Sequence, residues 1–187
     1  MAGGSFQHSL LGGHAIREVG NAIISHQAAN PGLERCDAHT SDLRIAVDGG
    51  KRLLASGAPP PFARDAGAPS PFARDADAAV VCDRPTYDEA IPTALTNPVV
   101  VFEVLSPSSE GYDRGLKFDY YGALETLREY VIVHQDERRV EVRTRASAEG
   151  EWRYATIREI GGGVRLPSLG VELPMAGLYR NWEAPRG

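Results

Sequence analysis

One stretch constrains this chain more than any other: Asn97 to Tyr121, NPVVVFEVLSPSSEGYDRGLKFDYY. It opens with Val99, Val100, Val101 and Phe102 and continues through Val104 and Leu105. A short, β-branched apolar run of this kind predicts a strand buried on both faces. Glu103 stands inside it. A carboxylate there is costly to desolvate unless it is paired, hydrogen-bonded or bound to a metal. The strand ends at Ser106-Pro107, because proline has no amide proton for a ladder and turns its predecessor away from the helical region. Ser108 or Ser109 then offers an N-cap, Glu110 lies in the first turn, and a helix is expected to about Tyr121, before Gly122. Ser106, Ser108 and Ser109 read as caps rather than nucleophiles, since no histidine is spaced to activate them. On this helix Asp113 and Lys117 lie four residues apart and share a face. A buried acid on a strand, followed by an acid and a lysine on the next helix, has the composition of a catalytic site.

Around this stretch the chain alternates helical and strand patterns. Apolar residues from Leu10 to Ile24 recur at helical spacing and predict a first helix over about Phe6 to Ala29, ended by Asn30-Pro31-Gly32. His8 and His14 on it read as solvated positions. Leu43, Ile45 and Val47 alternate with polar or small residues into a strand that closes at Asp48-Gly49-Gly50, and Lys51 to Ala55 is a weak partner. Two near-identical decapeptides follow, GAPPPFARDA at 57–66 and GAPSPFARDA at 67–76. Two copies rich in Pro, Gly and Ala are too few for a stacked repeat, so 57–76 reads as a duplicated surface loop. Asp77 to Cys82 is a second buried strand entered by an acid. Tyr130 to Val133 is a third apolar strand, turned at Gln135-Asp136-Glu137 into an antiparallel one carrying Arg139, Glu141, Arg143 and Arg145. Those arginines suit either phosphate contact or a solvated strand face. Trp152 to Ile157, an apolar tail to Pro174 and a short helical turn near Tyr179 complete an α/β fold with a mixed central sheet.

The 187 residues fit a single domain with a real core. No apolar run approaches the ~20 residues that span a bilayer, and the N-terminus lacks a basic then apolar leader. A cytoplasmic protein with Cys36 and Cys82 reduced is expected. A net charge of −5 argues against a protein that coats nucleic acid electrostatically. A nuclease with an acidic, metal-holding site remains compatible.

Asp77, Glu103 and Lys117 are the groups that could converge. If their strands pair, two carboxylates come close, and a hard divalent cation relieves their repulsion. Magnesium takes one or two carboxylates together with phosphate oxygens, and an ammonium can stabilise charge on the phosphate under attack. The competing structural reading is a buried Glu103–Lys117 ion pair kept for fold specificity, with Asp113 and Lys117 a helix-surface pair.

The run NPVVVFEVLSPSSEGYDRGLKFDYYGALETLREYVIV closely resembles a large bacterial family of restriction-endonuclease domains in the PD-(D/E)XK nuclease superfamily. The resemblance extends through HSLLGGHAIREVGNAI, SDLRIAV, DAAVVCDRP and LPSLGVELP. It implies a restriction-endonuclease-like mixed sheet flanked by helices and a metal-dependent endonuclease acting on DNA. It assigns Asp77 to the Pro-Asp motif, Glu103 to the (D/E)XK acid and the Val104 carbonyl to the metal. Lys117 becomes the lysine moved to the following helix, with Asp113 its accompanying acid. Mg²⁺, with Mn²⁺ as a substitute, and a homodimer acting on both strands are implied with them. Three departures stand out: Ala76 where the family has proline, Leu105 where it has lysine, and an N-terminus short of an acidic segment that relatives carry. A catalytically silent DNA- or protein-binding domain on the same scaffold is therefore the alternative, with an oligomerising fragment a third reading.

Overall fold

Side-chain alternation along Val99–Leu105 decides the architecture. The computed structural model describes residues 17, 18, 20, 21, 25, 34–47, 72–105, 115, 117–180, 182 and 183. In chain order the strands are β1 (Cys36–Val47), β2 (Phe72–Cys82), β3 (Ala94–Leu95), β4 (Val100–Leu105), β5 (Glu129–His134), β6 (Val140–Thr144), β7 (Arg153–Ile157), β8 (Gly163–Leu166) and β9 (Val171–Pro174). Residues Phe118–Gly122 and Met175–Leu178 form the short helices α1 and α2. Seven strands form one sheet in the order β3-β1-β2-β4-β5-β6-β7, and β8 and β9 form a separate hairpin. Within the large sheet β1–β3 and β4–β5 are parallel and the other pairs antiparallel. The mixed central sheet expected from the sequence is present.

All six residues of β4 are buried because the sheet is covered on both sides. Val100, Phe102 and Val104 pack with Val131, Val133, Leu166, Leu173, Met175 and Leu178, the last four from the hairpin and α2. Val101 and Leu105 face the other way, onto Ile132, Tyr130, Phe118 and Tyr121. Each such aliphatic side chain contributes roughly 1.5–3 kcal/mol by burial. By alternation Glu103 belongs to the second face, the one α1 covers.

Two further buried charges tie elements together. Glu129, fully buried at the start of β5, accepts the Ser168 amide at 3.0 Å and the Ser168 hydroxyl, holding the β8–β9 turn against the sheet. Arg145, also buried, donates to the carbonyls of Leu127 (2.9 Å), Ala148 (2.7 Å) and Leu124. Arg143 stacks 4.0 Å from the Phe118 ring centroid. Arg139 lies 3.0 Å from a Glu137 oxygen and 2.9 Å from His134 Nδ1. All three make contacts within the fold: Arg139 and Arg143 stay partly exposed on the strand face, while Arg145 is buried instead of solvated.

Three other expectations are corrected. β1 begins at Cys36 rather than Leu43, and its register sets Cys36 directly opposite Cys82, Cα atoms 3.9 Å apart, in a disulfide rather than as two thiols. β2 begins at Phe72, so the FARDA of the second decapeptide is strand paired with Val47 to Leu43 instead of loop. Asp77 consequently lies within β2 and not at its start. The first decapeptide, the Lys51–Ala55 strand and most of the first helix lie outside the described residues; residues 17, 18, 20, 21 and 25 are helical. Among the described residues no helix is long and apolar enough to cross a membrane.

Because both decapeptides end in PFARDA, deleting Gly67 to Ala76 puts an identical FARDA before Asp77. The strand should re-form in the same register. Loop closure changes by ~0.6 kcal/mol per doubling of length, so chemical denaturation should show a shift below ~1 kcal/mol. A loss of several kcal/mol would show that the first copy cannot replace the second in β2.

Burial pushes the Glu129 carboxyl above its ordinary 4.5, against the Ser168 hydrogen bonds and Arg128 that favour the charged form. The folded state therefore holds this proton to higher pH than the unfolded chain. Its contribution is present below pH 4.5 and is lost as pH rises through the raised folded value. Melting temperature against pH should fall less steeply above pH 4.5 in Glu129→Gln than in the parent. Parallel curves would refute this.

Candidate active site

The β2–β4 ladder ends at the pair Ala78–Phe102. One step further along both strands stand Asp77 and Glu103, where no ladder pair follows. The Val104 amide points to the β2 side, and by strand alternation so does that of Phe102, which makes Ala78–Phe102 the bonded kind of pair and Asp77–Glu103 the kind without such bonds. Side chains there come closest, with Cα atoms about 4.5 Å apart in regular sheet. The opposite edge of β2 is irregular at the same place: the β1 register shifts between Thr40 and Leu43, beside Asp77. A bulge there bends the strand and re-aims side chains.

Backbone and helix both reach the two acids. Asp77 Oδ2 accepts the Val104 amide at 2.7 Å. A strand residue's amide and carbonyl point to the same edge, so the Val104 carbonyl also faces the β2 side. Lys117 Nζ donates to Glu103 Oε2 at 2.7 Å, with Glu103 2% and Lys117 13% exposed. Glu103 Oε1 is buried as well. Phe118 and Tyr121 of α1 pack into the apolar cluster on this side of the sheet and hold Lys117 over Glu103.

The structure therefore brings Asp77, Glu103, Val104 and Lys117 to one place. Asp113, Ser106, Ser108 and Ser109 lie outside the described residues. The donor set is carboxylate, carboxylate and peptide carbonyl, which is hard oxygen chemistry suited to Mg²⁺ or Mn²⁺.

Two other features were weighed against this one. His134, Asp136 and Glu137 bring ligand atoms within 4.8 Å of one another. The Arg139 guanidinium stands among them, 2.9 Å from His134 Nδ1 and 3.0 Å from Glu137, and supplies the positive charge itself. The His134 Nε2 lies 3.0 Å from Glu141, so this group is an ion-pair network. At the other end of β4 a cavity of about 1020 Å³ is lined by Cys82, Arg128, Glu129, Arg145 and Ser168. Its buried charges are already engaged with Ser168 and with main-chain carbonyls.

The Glu103–Lys117 pair makes a prediction about stability. Removing one member of a buried pair strands the other charge, at a cost of about 3 kcal/mol. In chelator, Lys117→Met should lower the unfolding free energy by that order, and adding Glu103→Gln should restore most of it. An unchanged urea midpoint for Lys117→Met would show that Lys117 does not neutralise Glu103.

Comparison with known proteins agrees with this reading of the fold. Residues 17–176 match the Uma2 family, described as "Putative restriction endonuclease". The slr1290 protein of Synechocystis is 31% identical over 180 residues, covering 96% of this chain and 78% of its own length. The sll1609 protein of the same organism is 37% identical over 65 residues, which are 35% of this chain and 37% of that protein. A crystal structure described as "a putative nuclease belonging to DUF820", from Anabaena variabilis, shares the fold. Its TM-score is 0.57 at 14% identity, over 92% of this chain and 80% of that one. With residues 17–176 matched and a relative aligned almost end to end, the chain belongs to the Uma2 family.

Proposed function

We propose that this chain is a metal-dependent endonuclease that hydrolyses DNA phosphodiester bonds at Asp77, Glu103 and Lys117. The observation that carries the reading is the end of the β2–β4 ladder, where Asp77 bonds the Val104 amide and the neighbouring Glu103 bonds Lys117. Asp77, Glu103 and the Val104 carbonyl would hold Mg²⁺, or Mn²⁺ in its place. Such an ion supplies charge neutralisation at the phosphate and a more acidic bound water.

The chain's own groups have distinct tasks. The Val104 amide fixes the Asp77 carboxylate in orientation, so no conformational search is needed when the site fills. Burial of Glu103 strengthens every electrostatic interaction it makes. Lys117 takes the role of the lysine absent at Leu105. It neutralises Glu103 in the resting protein and adds positive charge where the phosphate becomes more negative. Asp113, four residues before Lys117, is the accompanying acid. A homodimer would present two such sites to the two DNA strands.

Supercoiled plasmid incubated with the protein in Mg²⁺ or Mn²⁺ tests this directly. Nicking should appear, vanish with chelator, and fall to the chelator level in Glu103→Gln and Asp77→Asn purified identically. The absence of chelator-sensitive nicking, or equal nicking by Glu103→Gln, would favour a silent binding domain on the same scaffold.

A further inference from the structure

One buried histidine nitrogen beside Asp77 has no part in the proposed chemistry. His39 lies on β1, paired with Ala79 of β2. Ala79 belongs to the apolar cluster on the Glu103 face, so His39 stands on that face too, one strand beyond Asp77. Asp77 is two residues along β2 from Ala79, making His39 its diagonal neighbour. Such neighbours are within reach of aromatic and long side chains. Ala79 between them carries only a methyl group. The β1 register shift begins immediately after Thr40, beside both residues.

Among the described residues, the buried His39 Nε2 meets no hydrogen-bond partner. Native proteins rarely leave a buried polar atom in that state, and a catalytic role, an ordered water or an ion is the usual explanation. The candidate partner on this face is the Asp77 carboxylate, which the Val104 amide already orients at 2.7 Å. His39 is not a third metal ligand here. Among the described residues, the group whose ligand atoms converge within 4.8 Å is His134, Asp136 and Glu137, and not His39, Asp77 and Glu103.

We propose that His39 is a positioning residue for Asp77: its Nε2–H steadies the Asp77 carboxylate when a divalent cation is held. Carboxylates that bind metals are themselves hydrogen-bonded, and loss of such an outer partner typically weakens metal binding 10–100-fold. His39 sits in the polar half of β1, where no apolar alternation marks a strand. The inference rests on the metal site proposed above.

Mn²⁺ binding, followed by electron paramagnetic resonance of free Mn²⁺, tests it without requiring activity. The parent should bind, Asp77→Asn should not, and His39→Phe should bind about 10–100-fold more weakly. His39→Gln, which keeps a side-chain donor, should lie between. Metal-free His39→Phe should melt no lower than the parent, since it removes an unsatisfied polar atom. Parent-like Mn²⁺ affinity in His39→Phe overturns the inference while leaving the site intact. A lowered metal-free melting temperature with unchanged affinity assigns His39 to packing and overturns it as well. A parent that binds no Mn²⁺ sinks the metal site itself, and this role for His39 with it.

Discussion

A carboxylate in the middle of a strand buried on both faces is the constraint on which the rest depends. Glu103 sits among Val101, Val104 and Leu105 and is 2% exposed. Transfer of an isolated carboxylate into such surroundings is prohibitive. The fold answers with Lys117, 2.7 Å away and itself largely buried. For Lys117 to stand there, the chain after β4 must return over the same face of the sheet before β5 begins. A parallel β4–β5 pair demands a crossover of that kind in any case. The ion pair and the topology therefore specify one another.

The second acid follows from where pairing stops. Had the β2–β4 ladder continued past Ala78–Phe102, the Val104 amide and carbonyl would be consumed by β2. Instead the amide goes to Asp77. The two carboxylates are held by different means, one by a backbone donor and one by an ammonium. That is an economical way to keep two like charges near each other in the absence of metal. The opposite face, sealed by the hairpin and α2, supplies the rigidity on which such a site depends.

How much of this was legible in the sequence varies with the physics that decides each part. β4 and β5 were readable because burial on both faces leaves an uninterrupted apolar run, and Glu103 was conspicuous as the exception within it. Lys117 was reachable from its place on the following helix, since Leu105 occupies the usual lysine position. The polar half of β1 was not readable: CDAHTSD has no apolar alternation, and β2 pairing, a tertiary matter, makes it strand. The FARDA segment looked like loop for the same reason, lying in a Pro- and Gly-rich repeat. The disulfide depends on strand register, which two isolated cysteines do not reveal. Arg145 looked like a surface charge, yet three carbonyls near the β5–β6 end capture it.

The central claim is that Asp77, Glu103 and the Val104 carbonyl form one hard-cation site. A crystal soaked in Mn²⁺ and measured for anomalous scattering tests it most directly. The account predicts a single strong peak bounded by Asp77, Glu103 and Val104. A peak at His134, Asp136 and Glu137 instead, or none near Asp77 at full Mn²⁺ occupancy elsewhere, would contradict it.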